Sequence, residues 1–196
     1  MKNLLPPLHR ILFVFILVVI TSCADKQPTE KELIAEYYQG FQNADYNQIK
    51  ATIADSLTLT EADYIMPFSK ESFYGHFKWD SVFQPVYKKV DLQNTGEQYV
   101  VEIAVSSKRF AFLKNDPLVS RQRFYFKSGK ISRVENVEFV DTDWEKWTTQ
   151  RESLVNWTAV NHPELDGFIN DLTMQGAINY VKAIELYENR ELDGTE

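Results

Sequence analysis

Cysteine is almost absent from this chain, with one residue in 196, Cys23. No internal disulfide can form, so the fold must be held by its core. Glycine is scarce as well. The seven glycines form neither a phosphate-cradling loop nor a nucleophile elbow. Only three histidines occur, His9, His76 and His162. His162 and Glu164 alone do not supply a metal-ligand set, so neither metal nor cofactor is expected. Positive charge is in deficit, 21 basic against 28 acidic residues. Phosphate binding needs a clustered basic surface, so nucleic acid is not an expected partner. Long apolar runs are missing too. Residues 11–20, ILFVFILVVI, give ten apolar positions, too few to span a bilayer comfortably as a helix.

What surrounds that short run is informative. Lys2, His9 and Arg10 precede it, and Thr21, Ser22 and Cys23 follow. A basic start, an apolar centre and small residues before a cysteine resemble a bacterial lipoprotein signal. The resemblance implies that residues 1–22 are removed and that Cys23 takes the lipid. It also implies a protein held at the cell envelope, at the outer membrane, by its N-terminal lipid. One acyl chain anchors only marginally; the several chains of a lipoprotein cysteine hold durably. Residues 23–29, CADKQPT, read as a short polar tether. Without the signal, which holds two basic residues and no acids, 174 residues remain with a formal charge of −9. That length suits one domain with a real core. A lipidated Cys23 leaves no thiol for catalysis.

Thr29 and Glu32 have capping-box spacing, and Leu33, Ile34, Tyr37, Tyr38 and Phe41 form one helical face. A second short helix with Tyr46, Ile49 and Ile53 inward is expected, then a short strand with Leu57 and Leu59. Residues 64–85 are dense in aromatics without a clean period. They read as a loop and short helix packed on a sheet, rather than as an aromatic binding box. From Pro85 the pattern turns to strands at 86–92, 98–112, 118–127 and 130–140, with turns at Asn94-Thr95-Gly96, 114–117 and Ser128-Gly129. Simple alternation pairs Phe126 with Ile131 and Phe124 with Arg133. It puts Phe124, Phe126, Ile131, Val137 and Phe139 on one face, and Arg121, Arg123, Tyr125 and Val134 on the other. Asp143 is placed to cap a helix containing Trp144, Trp147, Leu154 and Trp157. His162-Pro163 interrupts it, and a last helix is expected over 165–189, weakened by Gly167 and Gly176.

Two leading helices, an aromatic segment and a meander of long strands resemble the NTF2-like (SnoaL-like, ketosteroid isomerase-like) fold over residues 30–140. The resemblance implies an α+β cone, with N-terminal helices packed on a curved antiparallel sheet around a conical pocket. Residues 141–196 then form a C-terminal helical extension packed on that domain. The stretch 157–187 resembles uncharacterised envelope lipoproteins of the Bacteroidota. Such folds host enzymes, carriers and interaction modules alike, so function has to come from residues.

His76 and Asp80 are one helical turn apart, as an Asp-oriented general base requires. They make a small isomerase or dehydratase one reading, with His76 and Asp80 catalytic. The plainer reading is a half-exposed His on an amphipathic helix with Asp80 at its end. Asp63 is a further carboxylate near this segment. Tyr64, Trp79 and Tyr87 are the candidate ligand-binding residues. Arg109, Arg121, Arg123 and Arg133 all fall in expected strands. Arg121 and Arg123 either grip an anion in the cone or pair with Glu102, Glu135 and Glu138 on a solvated face. The leading expectation is a non-catalytic, lipid-anchored domain that binds a small apolar or amphipathic ligand, or a partner protein. An open apolar sheet face would instead imply a homodimer.

Overall fold

The computed structural model describes residues 27–96 and 98–190. The signal-like segment, Cys23 and most of the tether lie outside the described residues. The chain opens with helix α1 (Glu30–Gln42), started by the Thr29–Glu32 capping box. Helix α2 (Tyr46–Thr52) follows from an Asp45 cap. Strands β1 (Ile53–Glu61) and β2 (Tyr64–Ser69) form a hairpin, and helix α3 (Lys70–Ser81) leaves it. Strand β3 (Val86–Asn94), strand β4 (Tyr99–Ser106), short helix α4 (Lys108–Phe112), strand β5 (Leu118–Lys127) and strand β6 (Lys130–Val140) come next. Helices α5 (Trp144–Asn161) and α6 (Met174–Asn189) close the chain.

The six strands lie in the order β2-β1-β6-β5-β4-β3. The meander β3 to β6 is antiparallel, as expected, while β1 joins β6 in parallel and makes the sheet mixed. α1 lies across the inner face, where Tyr37 and Tyr38 each set an edge against Phe124 at 5.8 Å. Leu33, Ile34, Ile49, Ile53, Leu57, Val101, Ile103 and Ile131 complete this core. The result is the α+β architecture anticipated, N-terminal helices on a curved sheet with C-terminal helices beyond it.

Four local expectations are corrected. Residues 64–69 form a strand, not a loop. The strand expected over 98–112 stops at Ser106, where Ser107 caps α4 by accepting the Phe110 N–H through its hydroxyl. Phe126 does pair with Ile131, but Phe124 pairs with Val134 rather than Arg133. The register shifts at Ser132 and again at Val137, so each of these residues is an extra one in β6. Two bulges reverse the alternation twice. Val134 is therefore buried on the inner face and Val137 is turned out, 43% exposed. The last helix is also shorter than expected. Gly167 adopts φ +83 between two 3-10 turns, and α6 begins only at Met174. A side chain on Gly176 would lie 2.1 Å from the Asp171 carbonyl, so only glycine fits the first turn of α6.

A second core lies beneath the C-terminal helices. Phe83, Phe112, Leu113, Leu154, Phe168, Tyr180 and Ile184 form it. Buried Asn115 ties this part to the sheet. Its amide nitrogen donates to the carbonyls of Leu113 (2.9 Å) and Asp143 (3.2 Å), and its oxygen accepts the Asp143 N–H (2.8 Å).

Candidate functional site

Between the inner sheet face, α3 and the start of α5 lies a cavity of about 480 Å³. α3 supplies one wall. Ser69 caps this helix by accepting the Ser72 N–H, and Phe73 and Phe77 turn into the core. That setting brings His76 and Asp80 to the cavity. The His76 ring stacks on Phe73 at 5.4 Å and lies 6.3 Å from Trp79. Burial lowers its pKa, against the opposing pull of Asp80 and with a smaller push from Arg109. His76 is thus neutral at pH 7. No hydrogen bond joins it to Asp80. The Asp80 carboxylate instead accepts the Tyr87 hydroxyl at 2.8 Å. Burial, then the Asp80 charge, pushes the Tyr87 pKa well up, so this phenol stays a donor.

The sheet supplies a polar stripe. Glu61 on β1 pairs with Asn136 on β6, which pairs with Gln122 on β5. Gln122 accepts the Tyr38 hydroxyl at 2.7 Å and donates to the Ser120 hydroxyl at 3.3 Å. Asn136 stands beside Glu61 across the strand pair, and its Oδ1 is buried without a partner. Glu61 keeps an exposed edge at the rim. Partial desolvation still raises its pKa, with Arg109 and the Asn136 hydrogen bond pulling it down.

Arg109, on α4, is the cation of the site. Its guanidinium lies 4.8 Å from the Trp79 ring, 5.1 Å from Phe83 and 4.7 Å from Phe110. Such contacts contribute roughly 0.5–2 kcal/mol each, more as the pair is dried. The group has no hydrogen bond or ion pair among the described residues, and its Nε is buried without a partner. Burial pulls its pKa below the ordinary arginine value, opposed first by the Asp80 charge. At the far side Trp144 sets its edge on Phe139 at 5.0 Å, and Trp147 lies over Phe110 at 5.8 Å. Apolar walls and a few convergent polar groups in this volume are the features of small-molecule sites.

The structure gathers His76, Asp80, Trp79 and Tyr87 around this one cavity. It leaves Tyr64 out, 74% exposed where β1 turns into β2, with Asp63 beside it in that turn. Arg121 and Arg123 lie on the opposite sheet face. Arg121 pairs with Glu102 (3.0 Å) and Glu138, and Arg123 with Glu135 (3.1 Å). His162 meets Glu164 at 3.3 Å and packs on Trp157, remote from the cavity lining. Glu61, Gln122 and Asn136 escaped the sequence reading, and Arg109 was assigned to the wrong element. For Arg109 a signal existed: Ser107 is a favoured N-cap residue, placed to start a helix at Lys108. For Asn136 there was none, because bulges leave no mark in the alternation.

Comparison with known proteins gives fold likeness only. No protein-family model and no curated protein sequence matches the chain. Among solved structures, it is similar to an NTF2-like protein of unknown function from Cytophaga hutchinsonii, at 10% identity and a TM-score of 0.48. That match covers 59% of this chain and 94% of the other. A candidate polyketide cyclase from Streptomyces antibioticus matches at 14% identity and a TM-score of 0.46, covering 62% and 97%. A candidate ketosteroid isomerase from Kribbella flavida matches at 11% and 0.45, covering 56% and 76%.

Proposed function

We propose that this protein is a lipid-anchored envelope protein that binds a small amphipathic ligand in its cone without transforming it. The cavity carries this reading. Its volume is not filled by Phe and Trp side chains, and its walls combine aromatic rings with a polar stripe. The His76–Asp80 pair favours mere binding over catalysis, because the Asp80 carboxylate is held by Tyr87 and does not orient the imidazole. Straight-chain alcohols from hexanol to decanol test the site. Each methylene buried contributes about 0.8 kcal/mol. Affinity for the purified chain, measured by calorimetry, should rise about fourfold per carbon until the cavity is full. Absence of binding across the series removes the reading.

The anchor has a separate test. Cys23→Ser should move the protein from the membrane fraction to the soluble one; unchanged retention would remove the lipoprotein reading. An isomerase or dehydratase remains the second reading, favoured by a neutral His76 facing the cavity. It requires that the protein exchange the α-protons of a cyclic ketone in heavy water, and that His76→Gln or Asp80→Asn abolish this. No exchange by the wild-type chain would end it.

A further inference from the structure

The state of Arg109 identifies the chemistry that the cavity takes. Arg121, Arg123, Arg133, Lys70 and Lys108 make ion pairs with carboxylates, whereas Arg109 carries a buried Nε without a partner. Arg109 makes none, although Asp80 and Glu61 both act on it electrostatically. The Asp80 carboxylate is already engaged by a neutral donor, the Tyr87 hydroxyl, and Asn136 stands beside Glu61 across the strand pair. The three rings around the guanidinium hold its plane and keep water from it on those sides. An arginine fork held this way presents parallel N–H donors that match an oxyanion.

We propose that Arg109 anchors the oxyanion head of a singly charged amphiphile whose apolar body lies against the aromatic walls. This rests on the reading of the cavity as a binding site. Asp80 and Glu61 set the limit of one charge, since a dianion would meet both carboxylates. They do not make the site cationic-selective, because a cationic head would have to displace or face the guanidinium.

The test uses one ten-carbon tail with four heads: decanoate, decyl sulfate, decanol and decyltrimethylammonium, each below its micellar concentration. Calorimetry is done on the mature chain, residues 23–196, carrying Cys23→Ser, which has neither the apolar leader nor a lipid. Decanoate and decyl sulfate should bind at least about tenfold more tightly than decanol, and the ammonium more weakly than decanol. Their order separates a carboxylic acid from a sulfate or phosphate head. Arg109→Gln should erase the anionic preference, so that decanoate and decyl sulfate bind no more tightly than decanol to the same variant, and Arg109→Lys should restore part of it. Should Arg109→Gln fail to fold, the wild-type ranking of heads decides. Decanol binding as tightly as decanoate, or the preference surviving in Arg109→Gln, overturns the inference and leaves the binding cavity standing. No binding by any probe overturns both.

Discussion

The two faces of the central strands treat charge in opposite ways. On the outer face, Glu102, Arg121 and Glu138 form a row across β4, β5 and β6, and Arg123 meets Glu135, which also takes the Tyr125 hydroxyl at 2.6 Å. There water solvates whatever the pairs leave unmet, and each pair is worth little. On the inner face, Val101 and Ile103 pack as core while Gln122 and Asn136 open onto the cavity beside an unpaired Arg109. A charge held there without a partner is destabilising until something neutralises it. The outer face is thus built to be inert, and the inner face is left electrostatically incomplete. That incompleteness is where a ligand gains.

The comparison can be broken most severely from inside. Phe124→Ala removes a fully buried ring on which both Tyr37 and Tyr38 rest. The expected loss is about 3–5 kcal/mol in urea unfolding. A loss under about 1 kcal/mol would mean that the inner face is not the main core. A smaller effect comes from His76. Its folded pKa lies below 6.5, so its contribution is complete above pH 6.5 and is lost as pH falls from there through the depressed value. His76→Gln should flatten that decline, by less than about 1.4 kcal/mol per pH unit. Glu61 runs the other way, since its raised pKa makes stability fall as pH rises from 4.5 through the folded value. Measuring unfolding in Glu61→Gln as well separates the two slopes. Smallest is Arg123→Ala on the outer face, expected to cost less than about 1 kcal/mol and to shrink further in salt. A salt-insensitive loss of several kcal/mol would erase the distinction between the faces.

Much of the fold was legible because it is written in period and in caps. The helical face of Leu33 to Phe41, the Thr29 and Asp143 caps and the Ser128-Gly129 hairpin all have local causes. The site was legible only in part. His76, Trp79 and Asp80 share a helix, so spacing along the chain brings them to one wall, and Tyr87 follows closely. Glu61 and Asn136 are neighbours through a parallel pairing between distant strands, which no local pattern records. Asn136 faces inward because of the extra residue Ser132 earlier in β6, and Arg109 is reoriented by a helix of only five residues. Tertiary pairing, rather than propensity, made those decisions.

Asn115 has a mechanical consequence. One buried amide clasps the segment leaving α4 to the first residue before α5. α5 cannot tilt without dragging that segment, and Arg109 stands six residues upstream on the same short helix and turn. The clasp therefore ties the start of α5 to the segment that carries Arg109. Removing the C-terminal helices would slacken a wall of the cavity that most of their residues never touch.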